Sequence, residues 1–296
     1  MKNNKIMSPF FKINSSNELI YLNSYKLCDL SLSSSVNDYI LEAEGVVFPD
    51  IKKVKKPNTA LILEPHSDDF ALSALAYTLN NCNSLVLNVF SKTSLDFFTW
   101  KDLIDINAFE YEKLRLSESS FAIEKLLKER FKSLRYQSMR ITKDKIQDVK
   151  KNICDAIISA LKKDKTIDRI LVPMGVGLHP DHKIVFDAIF DNYYLFSNYK
   201  IILYPEYPYS RCKKAYNDRL SYIKNLFCIK PIIVDTSNNL ETIVDAISVF
   251  RSQFDDINRS QMLAIVREDY RAIASEYNVD NLCCVYYEIG GVLNEN

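Results

Sequence analysis

Histidine and glycine are scarce in this chain: three histidines and five glycines in 296 residues. No Gly-x-Gly-x-x-Gly follows any hydrophobic run, which disfavours a dinucleotide cradle built on backbone amides. Net charge is zero, so no basic excess exists to neutralise phosphates, and no nucleic-acid partner is expected. No apolar run approaches the ~20 residues that span a bilayer, so no transmembrane segment is expected. Met1 to Ser16 carries lysines but no continuous apolar core, which speaks against a signal peptide. Seven cysteines are present, an odd number with no Cys-x-x-Cys pair, and they read as free thiols in a reducing compartment. A cytoplasmic location follows as the expectation. What is there in quantity, 47% hydrophobic and 26% charged residues, is the balance of an ordinary soluble globular protein.

The few imidazoles are not scattered. His66 lies in Glu64-Pro65-His66-Ser67-Asp68-Asp69, directly after the apolar run Ala60 to Leu63 and before Phe70 to Leu79, whose apolar residues recur at helical spacing. The other two form His179-Pro180-Asp181-His182, again after a predicted strand, Arg169 to Val172, and before a predicted helix from Lys183. Ser67, Asp68 and Asp69 are all favoured helix caps, and capping alone explains at least one of them. Capping does not explain why every histidine sits in one of two polar turns of the same topological kind. In an open α/β sheet such turns lie at the carboxyl ends of strands, where these folds put their chemistry.

If the two strands are parallel neighbours, the turns open on one edge and their side chains converge. His66, Asp69 and His182 then offer two nitrogens and one oxygen, a common donor set for a catalytic zinc that keeps a position for water. Iron(II) suits the same donors. Asp68 is left free to act as general base, since a carboxylate committed to a cation cannot also gain and lose a proton. His179 is a candidate to stabilise a developing oxyanion or to protonate a leaving amine. Asp181 reads equally as a helix cap and as a group holding an imidazole tautomer.

The paired motifs resemble the PIG-L/LmbE-like family of metal-dependent N-deacetylases, whose signature is a His-x-Asp-Asp after the first strand and a later His-Pro-Asp-His. The resemblance covers most of the chain from Thr59 onward. It implies zinc on His66, Asp69 and His182, Asp68 as base and His179 at the oxyanion. It also implies a Rossmann-like, mostly parallel sheet with helices on both faces, and removal of an acetyl group from an N-acetylated amino sugar or its conjugate. Softer matches are Arg115-Leu116-Ser117-Glu118, where the arginine reaches substrate hydroxyls or merely forms an exposed ion pair, then Tyr204 to Tyr209, and Ser252-Gln253. Arg115 and Tyr209 are the expected substrate contacts. The chain departs from the pattern at Ser67 (usually proline), at Phe70 (commonly glutamate, so a buried acid is expected to be missing) and at Gly177 (a tyrosine in some members).

Residues 1–57 form an extension of unassigned role, with short strands expected at Leu19 to Leu22 and Val46 to Phe48 and a solvated basic linker at Lys52 to Lys56. Residues 58–296 form the deacetylase-like unit, with further strands at Leu85 to Phe90, Ile201 to Tyr204 and Pro231 to Val234. Helices are expected at Ile106 to Leu127, Lys143 to Leu161, Lys183 to Tyr194, Leu240 to Phe250 and Met262 to Glu276. Strands alternating with helices imply an α/β fold. Phe97, Phe98, Trp100, Tyr207 and Tyr209 could wall a sugar pocket or lie in the core. An amidase for a larger acyl group, a non-catalytic binding module and a homo-oligomer all stay open.

Overall fold

The computed structural model describes residues 56–93, 107–138, 141–254 and 257–292, together with five short strands nearer the amino terminus. Those strands are β1 (Ile6–Ser8), β2 (Phe11–Ile13), β3 (Leu19–Tyr21), β4 (Lys26–Leu27) and β5 (Leu41–Glu42). The first three form one antiparallel sheet and the last two another. The expected strand at Val46 to Phe48, the aromatic cluster Phe97, Phe98 and Trp100, and Lys52 to Lys55 lie outside the described residues. Lys56 is not a solvated linker residue: its ammonium donates to the Thr78 carbonyl at 3.0 Å and to that of Leu79, satisfying the carboxyl end of a helix.

The main sheet has seven strands: β6 (Thr59–Glu64), β7 (Asn83–Asn88), β8 (Arg130–Ser133), β9 (Ile167–Pro173), β10 (Lys200–Tyr204), β11 (Phe227–Asp235) and β12 (Cys283–Val292). Their order is β11-β12-β10-β9-β6-β7-β8. Strand β6 pairs in parallel with both β7 and β9, and β10 adds in parallel to β9. Strand β12 runs antiparallel between β10 and β11. The chain thus leaves β6 toward one edge and returns at β9 to build toward the other. That reversal between β6 and β9 is a topological switch point, where side chains beyond the strand ends face an open crevice.

Strand β6 is buried along its whole length because both faces are covered. Its residues alternate: Ala60 and Ile62 join one core cluster, Leu61 and Leu63 the other. The first cluster packs a π-helical turn (Phe70–Ala74), α1 (Leu75–Asn81), a second π-helical turn (Phe121–Leu126) that continues α2 (Ala108–Ser120), α6 (Leu240–Ser248) and α7 (Arg259–Glu276). The second packs α3 (Ile146–Lys163), α4 (Pro180–Phe190) and α5 (Lys213–Leu226). Helices therefore cover both faces, as expected. Among the described residues no helix is long and apolar enough to cross a membrane.

Candidate active site

The two histidine turns meet. Each follows one of the adjacent parallel strands β6 and β9, so both emerge on the same sheet edge. His66 Nδ1 lies 3.1 Å from His182 Nε2. Asp69 Oδ2 lies 3.4 Å from His182 Nε2 and 3.8 Å from His66 Nδ1. Asp69 is fixed by its own turn, because the same oxygen accepts the His66 backbone N–H at 2.8 Å. Asp69 and His182 are buried, and His66 is nearly so.

Each of these imidazoles is oriented from behind. His66 Nε2 donates to Asp181 Oδ2 at 2.9 Å, and Ser138 Oγ donates to the same oxygen at 2.6 Å. His182 Nδ1 donates to Glu206 Oε1 at 3.0 Å. Glu206 is wholly buried and also accepts the Gly175 and Val176 amides. The hydrogen-bond network thus assigns the tautomers, leaving His66 Nδ1 and His182 Nε2 to face Asp69. Burial alone would lower the His182 pKa, but Asp69 and Glu206 outweigh it and push it up to about 9. The carboxylates on either side of the ring thus favour its protonated form.

The donor set suits a metal ion. A tetrahedral centre with bonds of about 2.0–2.2 Å needs ligand atoms about 3.3–3.6 Å apart. The three observed separations, 3.1, 3.4 and 3.8 Å, bracket that range. A second set is available, since His66, His179 and His182 bring ring nitrogens within 4.8 Å of one another. It is the looser of the two. His179 Nδ1 is also engaged, accepting the Asp181 amide at 3.3 Å as the cap of α4. Burial, then the charges of His66 and His182, push the His179 imidazole down to about 4.

Asp68 stands beside this cluster with Arg115 Nη2 3.3 Å from its Oδ2. The expected alternative for Arg115, an exposed pair with Glu118, is corrected here: both are buried, and they face different partners. Glu118 accepts the Ser252 amide at 2.8 Å and the Ser252 hydroxyl at 2.6 Å, so two of the softer motif matches meet each other. Arg115 Nε and Nη2 complete no hydrogen bond although they are buried. Arg115 borders a cavity of about 370 Å³ lined by His66, Asp68, Asp69, His179, Tyr209 and Gln253 among others. The Tyr209 ring packs at 5.5 Å from that of His182 and over Gly177, where a Cβ would stand 3.4 Å from its Cδ1.

Sequence reading missed two buried carboxylates. Glu206 carried a motif match but no role. Glu64, at the end of β6, is fully buried; it accepts the Phe70 amide at 3.1 Å and the Asn88 side-chain amide at 3.1 Å. Burial, and secondarily Asp69, hold its pKa well above the usual carboxylate range. The acid expected to be missing at Phe70 thus has a counterpart reached from the strand side of the same turn.

No protein-family description and no curated protein matches this chain. Solved structures do. The zinc-inhibited form of a teicoplanin deacetylase, Orf2, is 16% identical and covers 81% of this chain and 100% of its own, with a TM-score of 0.61. The N,N'-diacetylchitobiose deacetylase from Pyrococcus horikoshii is 18% identical over 77% of this chain and 83% of its own, with a TM-score of 0.50. A 4-carboxy-2-hydroxymuconate hydratase from Pseudomonas putida is 13% identical over 81% of this chain and 99% of its own, with a TM-score of 0.52. At these identities the likeness establishes a shared fold. That one neighbour is a hydratase means the reaction has to be argued from the residues.

Proposed function

We propose that this chain is a metal-dependent N-deacetylase that releases acetate from an N-acetylated amino sugar or its conjugate. The reading rests on one observation above the rest: three donor atoms 3.1–3.8 Å apart, on two turns of adjacent strands, with a carboxylate behind each imidazole. Deacetylases acting on teicoplanin and on diacetylchitobiose share the fold. In this proposal His66, Asp69 and His182 hold zinc, with iron(II) the alternative ion. The bound ion supplies Lewis-acid polarisation of a carbonyl and water acidified from about 15.7 to about 7.

The protein's own groups do the rest. Asp68 takes the proton from the attacking water and returns it to the amide nitrogen as the C–N bond breaks, giving acetate and a free amine. Arg115 Nη2 beside it holds the carboxylate in place, and Arg115 Nε, which completes no hydrogen bond, is a donor for a sugar hydroxyl. His179 is neutral at pH 7, with Nδ1 occupied by the Asp181 amide, so its proton resides on Nε2. A neutral donor of that kind stabilises charge gathering on the carbonyl oxygen and is a poor acid for the amine, which favours the oxyanion role. Tyr209 walls the cavity over the imidazoles.

The test is acetate release from N-acetylated amino sugars. A chelator should abolish it and zinc restore it. Asp68→Asn should retain the metal and lose about 10²–10⁴-fold in kcat. Full activity in Asp68→Asn would remove the assigned base, and a wild-type protein that takes up no metal would remove the enzyme reading altogether.

A further inference from the structure

Gln253 walls the cavity beside the metal-facing cluster and takes no part in the steps above. Its side-chain amide has one workable orientation. Nε2 lies 2.9 Å from the Tyr111 hydroxyl, 3.0 Å from the Ser252 carbonyl and 3.3 Å from the Ser252 hydroxyl. A carbonyl oxygen only accepts, so turning the amide over would set oxygen against oxygen. The nitrogen therefore faces the protein. Oε1 is left accessible, with no donor among the described residues.

The backbone carrying this amide is pinned as well. Glu118, itself buried, holds both the amide and the hydroxyl of Ser252. Tyr111, Arg115 and Glu118 fall at i, i+4 and i+7 of α2, which is one face of a helix. That face thus carries Arg115, whose Nε is a buried donor without a partner, together with the two side chains that fix residues 252 and 253. The charged acceptors on the same wall are already engaged, Asp68 by Arg115 and Asp69 by the His66 turn. A donor and a neutral acceptor referenced to one helix suit a hydroxyl, which accepts from the first and donates to the second.

We propose that Gln253 is a specificity-determining residue: its Oε1 accepts a hydrogen bond from the substrate hydroxyl vicinal to the acetamido group, the hydroxyl to which Arg115 Nε donates. The assignment rests on the deacetylase reading above. Arg115 Nη2 is 3.3 Å from Asp68, the base in that reading, so the hydroxyl in reach of this arginine is the one nearest the scissile amide. In an amino sugar joined through its anomeric carbon that is the 3-hydroxyl. An analogue lacking it leaves Gln253 Oε1 and Arg115 Nε unpaired, which is how a polar site rejects a molecule of nearly the same shape.

Binding is measured by NMR titration of the full chain after chelator treatment, so that no turnover intervenes, with N-acetylglucosamine and its 3-deoxy and 6-deoxy analogues. Wild-type protein should bind the 3-deoxy analogue about 3–10-fold more weakly than N-acetylglucosamine, the worth of a neutral hydrogen bond, and the 6-deoxy analogue equally well. In Gln253→Leu the 3-deoxy penalty should shrink by about 3-fold, the coupling expected of a direct contact. Tyr111→Phe removes an acceptor of Nε2 from a wholly buried ring, and it should reduce the same penalty without altering the response to 6-deoxy. It also serves if the Gln253 variant does not fold. A 3-deoxy penalty unchanged in both variants, or a coupling that appears at the 6-position instead, overturns the proposal. Failure of wild-type protein to bind any of the three sugars overturns it together with the amino-sugar reading, whereas binding without coupling overturns the Gln253 assignment alone.

Discussion

His182 shows how much of this site is settled by what stands behind a side chain. Its Nδ1 is committed to Glu206 and its Nε2 meets His66 and Asp69, so a proton and a cation compete for Nε2. Removing the rear carboxylate should loosen the ring and lower its basicity. Glu206→Gln and Asp181→Asn are each expected to weaken zinc affinity about 10–100-fold, measured by competition with a chromophoric chelator. The sign of the pH dependence follows from the same geometry. Metal uptake must displace the proton that Asp69 and Glu206 hold on His182 up to about pH 9. Apparent affinity should therefore fall as pH drops from 8 to 6, by about ten-fold per unit for one displaced proton. In Glu206→Gln the slope should flatten. The histidines and Asp69 were legible because three imidazoles in two turns is an improbable arrangement. Asp181 was legible only as a choice between cap and orienting group, and it proves to hold the imidazole of the other turn. Glu64 was invisible, since a carboxylate at a strand end looks like the end of a strand until the neighbouring turn is seen to close over it.

The turn after β9 depends on backbone that few residues can adopt. Gly175 and Gly177 both have φ of 75°, in the left-handed region. A Cβ on Gly175 would stand 3.1 Å from Arg219 Nη2, and Arg219 Nε also holds the Met174 carbonyl. Gly175→Ala and Gly177→Ala are each expected to cost ~1–2 kcal/mol in urea unfolding, the strain of an L-residue in that conformation. Gly175→Ala should additionally displace the Arg219 guanidinium from its stack on Phe186, 4.3 Å from the ring centroid. Other elements were harder to read. Strand β8 is a four-residue edge, Arg-Phe-Lys-Ser, alternating between exposed and half-buried, with one apolar side chain and so no pattern to detect. Helix α5 went unrecognised because only Arg219 and Ile223 of its fourteen residues are buried, and Cys212 offers it no side-chain cap. The Leu282 to Ile289 run reads as a strand in any register, but nothing in it reveals that β12 lies antiparallel between β10 and β11. Strand direction there is decided by the connection from α7, and composition carries no trace of that.

The alternation of apolar runs with helical spacing carried the architecture from Thr59 onward, and the adjacency of β6 and β9 was the step on which the site depended. Because both turns are anchored by strands and by hydrogen bonds within the protein, the fold should persist without metal, and added zinc should act by mass action on the folded state. At a thousand-fold excess over Kd that is worth about 4.1 kcal/mol, enough to move the thermal midpoint by several degrees. The same measurement separates the two donor sets. If His66, Asp69 and His182 hold the ion, Asp69→Asn and His182→Ala should abolish the zinc-induced shift, while Asp68→Asn and His179→Ala retain most of it. If the three imidazoles hold it instead, His179→Ala should abolish the shift and Asp69→Asn should keep it. The close spacing around Asp69 and the occupied Nδ1 of His179 predict the first result. The second would move His179 from the oxyanion into the ligand set and leave Asp69, freed from the cation, as a competitor to Asp68 for the proton of the attacking water.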